Sequence, residues 1–110
     1  MKKLLFAVIV ILMLAVPISA LRFDQIRVFS VDDNIVVKTR VSTDHRVEGV
    51  KVTAYILEQP LRRSDSFDLS FDRSSTLYLG EVVPGYYTVR ITVSSKDGEK
   101  RTKYRFIEIE

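Results

Sequence analysis

The chain has no cysteine, no tryptophan, a single histidine, three prolines and four glycines among its 110 residues. Without cysteine there is no disulfide scaffold, no thiolate metal site, no cysteine nucleophile and no lipid-modified cysteine anchor. One histidine excludes a histidine-rich metal centre. The sequence also contains no G-x-S-x-G, no H-E-x-x-H, no glycine-rich phosphate loop and no calcium-loop pattern. The sole asparagine begins Asn34-Ile35-Val36, so no N-x-S/T acceptor is present. His45 lies in Asp44-His45-Arg46. A catalytic triad needs a nucleophile and an orienting carboxylate at hydrogen-bond distance. Adjacent turn residues rarely meet that requirement, so His45 reads as a solvated turn histidine. Catalysis, a metal and a cofactor are therefore not expected.

What is present begins with Met1-Lys2-Lys3, followed by thirteen unbroken apolar residues, 4–16, and then Pro17-Ile18-Ser19-Ala20. This is the three-part form of a secretory signal: a positive start, a short apolar run, and a small residue at the cut. Residues 1–20 read as a signal peptide and 21–110 as the exported domain, destined to be secreted, periplasmic or held at the cell surface. An uncleaved anchor is the competing reading. Residues 4–21 are uncharged and reach the lower limit of a bilayer span, and the membrane would then be met only through the leader. The two lysines orient the start toward the cytoplasm in either case. The chain ends directly after the last predicted strand, so surface retention is expected to come from the leader or from binding. Removing the leader takes Lys2 and Lys3 with it, and the formal net charge falls from +3 to +1. A nearly neutral exported domain is a poor nucleic-acid ligand.

Beyond residue 20 the pattern is period-two alternation with turn residues every ten or so positions, which predicts an all-β sandwich or barrel. Seven strands are expected, over 22–30, 35–42, 47–57, 66–72, 75–82, 86–94 and 99–108. Their apolar faces are Ile35, Val37, Thr39 and Val41; Val50, Val52, Ala54 and Ile56; Phe67, Leu69 and Phe71; Leu77 and Leu79; and Tyr87, Val89, Ile91 and Val93. In the first strand Ile26 and Val28 share one face while Phe23 and Phe29 fall on the other, which a bulge or a switch between sheets reconciles. A four-residue loop at 95–98 would pair Val89 with Tyr104 and Tyr87 with Phe106, adding both aromatic residues to the core. A one-residue slip would turn Arg101, Lys103 and Arg105 inward, at a high desolvation cost.

With no βαβ rhythm, these strands suggest a seven-stranded, immunoglobulin-like antiparallel sandwich. The segment Val83-Pro84-Gly85-Tyr86-Tyr87-Thr88-Val89-Arg90-Ile91 resembles the corner and following strand of fibronectin type III and related prokaryotic surface immunoglobulin-like domains. The resemblance implies an adhesion or spacer module. It also implies that Pro84 and Gly85 shape the corner and that Tyr87 is a corner tyrosine bonding back to the backbone.

The expected pairing puts Arg90, Arg101, Lys103 and Arg105 on one outward face, with Arg90 opposite Lys103. The third strand adds Lys51 and Tyr55, and Tyr86 joins from the sixth. The other sheet is expected to mix signs, with Lys38 and Arg40 against Asp68 and Asp72. A basic face suits an extracellular protein or an anionic envelope polymer. The competing explanation is that Lys and Arg along an edge strand block edge-to-edge pairing; a free edge could also accept a partner strand. A second candidate is the loop end of the sandwich, where Asp44, His45, Asp72 and Asp97 are expected to gather as a carbohydrate or small-ligand site. Arg46, Arg73 and Lys96 nearby argue against calcium there.

Overall fold

The computed structural model describes residues 21–110. The expected leader and its cleavage point lie outside the described residues. Seven antiparallel strands are present: β1 (Arg22–Val31), β2 (Asn34–Ser42), β3 (Val47–Ile56), β4 (Arg62–Leu69), β5 (Asp72–Glu81), β6 (Gly85–Ser94) and β7 (Lys100–Ile109). They form a three-stranded sheet in the order β1-β2-β5 and a four-stranded sheet in the order β4-β3-β6-β7. No helix occurs among the described residues.

The alternation decides what is inside. Ile35, Val37 and Val41 of β2 meet Val50, Val52, Ala54 and Ile56 of β3, with Leu77 and Leu79 of β5 and Val89, Ile91 and Val93 of β6. All of these are buried, and a fully buried aliphatic side chain contributes roughly 1.5–3 kcal/mol. Among the described residues these side chains form one continuous hydrophobic core between the two sheets.

In β1 a register shift between Phe23 and Gln25 leaves Asp24 as the extra residue. The bulge swings Phe23 onto the face of Ile26 and Val28, where all three pack against the core. Phe29 stays outside, with Arg27 and Lys38 each within 6 Å of its ring centre. The β1–β2 connection is a two-residue turn in which Asp32 and Asp33 both adopt positive φ, 51° and 66°. That geometry suits the right-handed twist of a hairpin.

Tyr87 is buried, and its hydroxyl donates a 2.6 Å hydrogen bond to the Val83 carbonyl across the β5–β6 corner. Tyr87→Phe keeps the ring but leaves that carbonyl without its donor, at an expected cost of about 1–3 kcal/mol in urea unfolding. An unchanged midpoint would mean that solvent replaces the hydroxyl.

Three expectations are corrected. First, β4 pairs with β3 and not with the sheet of β1, β2 and β5. The connection is short and closed by a 3.0 Å bond from the Ile56 amide to the Leu61 carbonyl, and a short connection keeps successive antiparallel strands adjacent. Second, the β6–β7 hairpin is one residue out of the expected register: Ser94 pairs with Lys100, Val89 with Arg105, Tyr87 with Ile107. The Ser95 amide bonds to Glu99 O, and the Gly98 amide bonds back to Ser95 O. Gly98 has φ +92°. The loop is thus the three residues 96–98, with glycine taking the positive-φ position. Third, Phe71, Tyr104 and Phe106 are not core residues; they are 78%, 50% and 81% exposed. Phe71 lies in the corner between β4 and β5. Tyr104 and Phe106 point outward in the true register, and Ile109 with partly buried Ile107 take their place inside.

Candidate functional site

The slip places Arg101, Lys103 and Arg105 on the side of β7 that continues the inner face, paired with Val93, Ile91 and Val89. They are nevertheless exposed. β7 is the edge strand of its sheet, and there these side chains reach water. The expected basic face is therefore divided. Lys51, Tyr55, Tyr86 and Arg90 occupy the outer face of the four-stranded sheet, whereas Arg101, Lys103 and Arg105 form a separate flank. Arg90 stands opposite Tyr104, not Lys103.

The outer face has a regular layout, set by the pairing of its strands. One row runs Ser66, Lys51, Ser94, Lys100; the next Ser64, Thr53, Thr92, Thr102; the third Arg62, Tyr55, Arg90, Tyr104. Neighbouring strands are roughly 4.8 Å apart, so the two cations within each outer row stand about 10 Å apart at the backbone. Between the two cationic rows lies a row made only of hydroxyls. The Arg90 guanidinium sits over the Tyr55 ring at 5.2 Å, and the Thr92 and Thr102 hydroxyls are 3.3 Å apart.

This face carries a depression of about 510 Å³. Ten residues line it: the four cations Lys51, Arg62, Arg90 and Lys100, and six hydroxyl residues, Thr53, Tyr55, Thr92, Ser94, Thr102 and Tyr104. No carboxylate and no aliphatic residue takes part. Among the described residues, ion pairs join Arg22 to Asp24 and Asp44, Arg40 to Asp72, and Arg46 to Glu48 and Asp68. None of the four lining cations is in that set. Many carboxylates sit instead in loops or at strand ends, among them Asp44, Glu58, Asp97 and Glu108. The result is a domain of near-zero net charge with a strongly positive outer face.

The far end of the same face differs. Tyr86 and Phe106 are exposed there, beside Glu58 and Glu108. Glu58 Oε1 accepts the Thr88 amide at 2.7 Å. That backbone hydrogen bond holds its carboxyl below the usual carboxylate range. Tyr86 thus shares the face but borders an acidic edge, outside the cationic depression.

At the loop end, the Thr43 amide bonds to the Phe71 carbonyl at 2.8 Å, and two of the four expected residues are engaged in ion pairs. Asp44 is held by Arg22 at 2.8 Å, which lowers its carboxyl pKa through the hydrogen bond and the opposite charge. Asp72 is held by Arg40. Asp97 and His45 are exposed in separate loops. No group of three histidine, aspartate or glutamate side chains capable of holding a metal is found among the described residues.

Sequence reasoning missed Arg62, Lys100 and Tyr104. Recognising a short hairpin around Pro60 would have brought Arg62 beside Tyr55. Counting the last loop as three residues with Gly98 at its end would have turned Lys100 and Tyr104 outward. No protein-family model and no curated protein sequence matches the chain.

Proposed function

We propose that residues 21–110 are an exported, non-catalytic immunoglobulin-like module that binds an anionic polymer of the cell envelope on the outer face of the β4-β3-β6-β7 sheet. The observation that carries this reading is the depression lined by six hydroxyl residues and four cations that join no salt bridge among the described residues, with no carboxylate in the lining. Four cations gathered on one face with no carboxylate among them make a local positive field, so a face of this kind gains from an anionic occupant. Repeated carboxylate or phosphate groups would lie on the two cationic rows, with the hydroxyl row contacting the polymer between them. Tyr55 and Tyr104 supply flat, amphipathic contact area. The absence of any aliphatic lining disfavours a folded protein partner, whose interface would need an apolar centre.

The immunoglobulin-like class is supported by the two antiparallel sheets and by the buried Tyr87 bonded to Val83 across the β5–β6 corner. The fourth strand beside the third is the arrangement of a fibronectin type III-like variant, since constant-type domains place it on the other sheet.

The test is an isotherm of residues 21–110 on immobilised polygalacturonate and on polyphosphate, across a range of salt. The two probes separate carboxylate from phosphate recognition. Binding is expected to saturate, and log K is expected to fall with log salt at a slope of about −3. That slope follows from four cations each displacing condensed counterions, by the reasoning worked out for nucleic acids. An absence of binding to both polymers at low salt overturns the reading.

A further inference from the structure

We propose that the domain has a second polyanion-binding face on the opposite side of the sandwich, and that it therefore bridges two polymer chains rather than decorating one. This rests on the reading of the first face given above. The outer face of the β1-β2-β5 sheet carries its own depression, of about 230 Å³, and no carboxylate lines it. Its rows again follow strand pairing: Arg27 beside Lys38 beside Thr76, and Gln25 beside Arg40 beside Ser74.

Arg27 and Lys38 are direct cross-strand partners. Like charges in that position destabilise a sheet. Neither takes part in an ion pair among the described residues; Arg40, by contrast, is held by Asp72. Both cations instead lie over the Phe29 ring, the guanidinium carbon at 5.9 Å and the ammonium nitrogen at 5.7 Å from its centre. The ring holds the pair together without neutralising it. Edge protection accounts for one cation on β1, which is an edge strand, but not for Lys38 on the central strand β2. An unneutralised cation pair fixed over a ring, beside the hydroxyls of Ser74 and Thr76, has the same chemistry as the first face.

The two outer faces point in opposite directions, with sheets about 10 Å apart between them. An extended polymer lying flat on one face does not reach the other. Occupation of both therefore joins two segments of polymer, and in a dense envelope layer this makes the domain a crosslinker.

Light scattering of residues 21–110 titrated into soluble polygalacturonate tests this, with sedimentation of the protein alone confirming that it is a monomer. Scattering is expected to rise to a maximum and fall again when excess protein covers every chain, the signature of a bivalent bridge. Arg27→Ser/Lys38→Ser is expected to remove the maximum while affinity for immobilised polymer stays within about twofold, because the first face is intact. Removing a repelling pair should not unfold the variant, and circular dichroism checks that. Undiminished scattering with Arg27→Ser/Lys38→Ser overturns the second face while leaving the first in place. If the unmodified domain fails to bind polymer at all, the one-face reading has failed and the bridge falls with it.

Discussion

Ile109→Asp is expected to destabilise the domain by more than about 3 kcal/mol, whereas Phe106→Asp is expected to change stability by no more than about 0.5 kcal/mol. The contrast comes entirely from the register of the last hairpin. Ile109 pairs with Gly85 and is only 3% exposed within the core. A carboxylate there has no partner and must either remain charged in an apolar site or take up a proton; both cost free energy. Phe106 is larger and more conspicuous in the sequence, yet it is 81% exposed. Its replacement removes little packing and strands no charge. A single domain of this size is stable by about 5–10 kcal/mol, so Ile109→Asp should leave a chain close to its unfolding midpoint at 37 °C. Urea denaturation of both variants measures the difference directly. The reverse ranking would restore the four-residue loop, in which Phe106 faces Tyr87 and Ile109 faces solvent.

This hairpin also shows where the sequence was legible and where it was not. The alternating residues of β2, β3 and β6 declared their inner faces correctly, because those strands are covered along their length and any other orientation would bury lysine or arginine. The bulge in β1 was legible for the same reason: Phe23, Ile26 and Val28 could share the core only if one residue were left over, and Asp24 is that residue. The edge strand was misread through a false premise. Turning Arg101, Lys103 and Arg105 toward the inner side does not bury them: on this edge strand all three are exposed. How far an edge strand is covered is a tertiary property that no local pattern contains. Only the last residues of β7, Ile107 and Ile109, meet the core, and the weak alternation of its C-terminal end was the sole trace of this in the chain.

The same limits shaped the site. Lys51, Tyr55 and Arg90 were recognisable as outward residues from the well-patterned strands β3 and β6. Arg62, Lys100 and Tyr104 depend on which strand neighbours β3 and on one residue of loop length. Pro60 interrupts the alternation after β3, yet it sits in a short hairpin connection that keeps β4 beside β3. Turn chemistry thus decided half of the face. At the loop end, two of the three aspartates, Asp44 and Asp72, have arginine partners from β1 and β2, which no spacing rule places there.

The division of the basic residues into an outer face and an edge-strand flank gives the second large expected effect. Lys51→Glu/Arg90→Glu and Lys103→Glu/Arg105→Glu change the net charge by the same amount. Only the first pair lies on the outer face; the second pair stands on the flank of β7. Binding driven by net charge alone would fall equally in both. Binding seated on the face should fall about 100-fold or more with Lys51→Glu/Arg90→Glu at low salt, since two contacts worth about 1.4 kcal/mol or more each are lost and replaced by repulsion. For Lys103→Glu/Arg105→Glu, screening over about 10 Å at ordinary ionic strength should limit the loss to a few-fold. All four positions are exposed, so neither variant should lose its fold, and equal unfolding midpoints confirm that. Arg90 has a second role, its guanidinium lying 5.2 Å from the Tyr55 ring centre. A Tyr55→Leu variant separates the two roles: it keeps the charge but removes the platform, and is expected to weaken binding without altering the salt slope. Equal losses from the two charge-reversal pairs would make the flank and the face one diffuse field, and the ordered rows of cations and hydroxyls would then have no part in recognition.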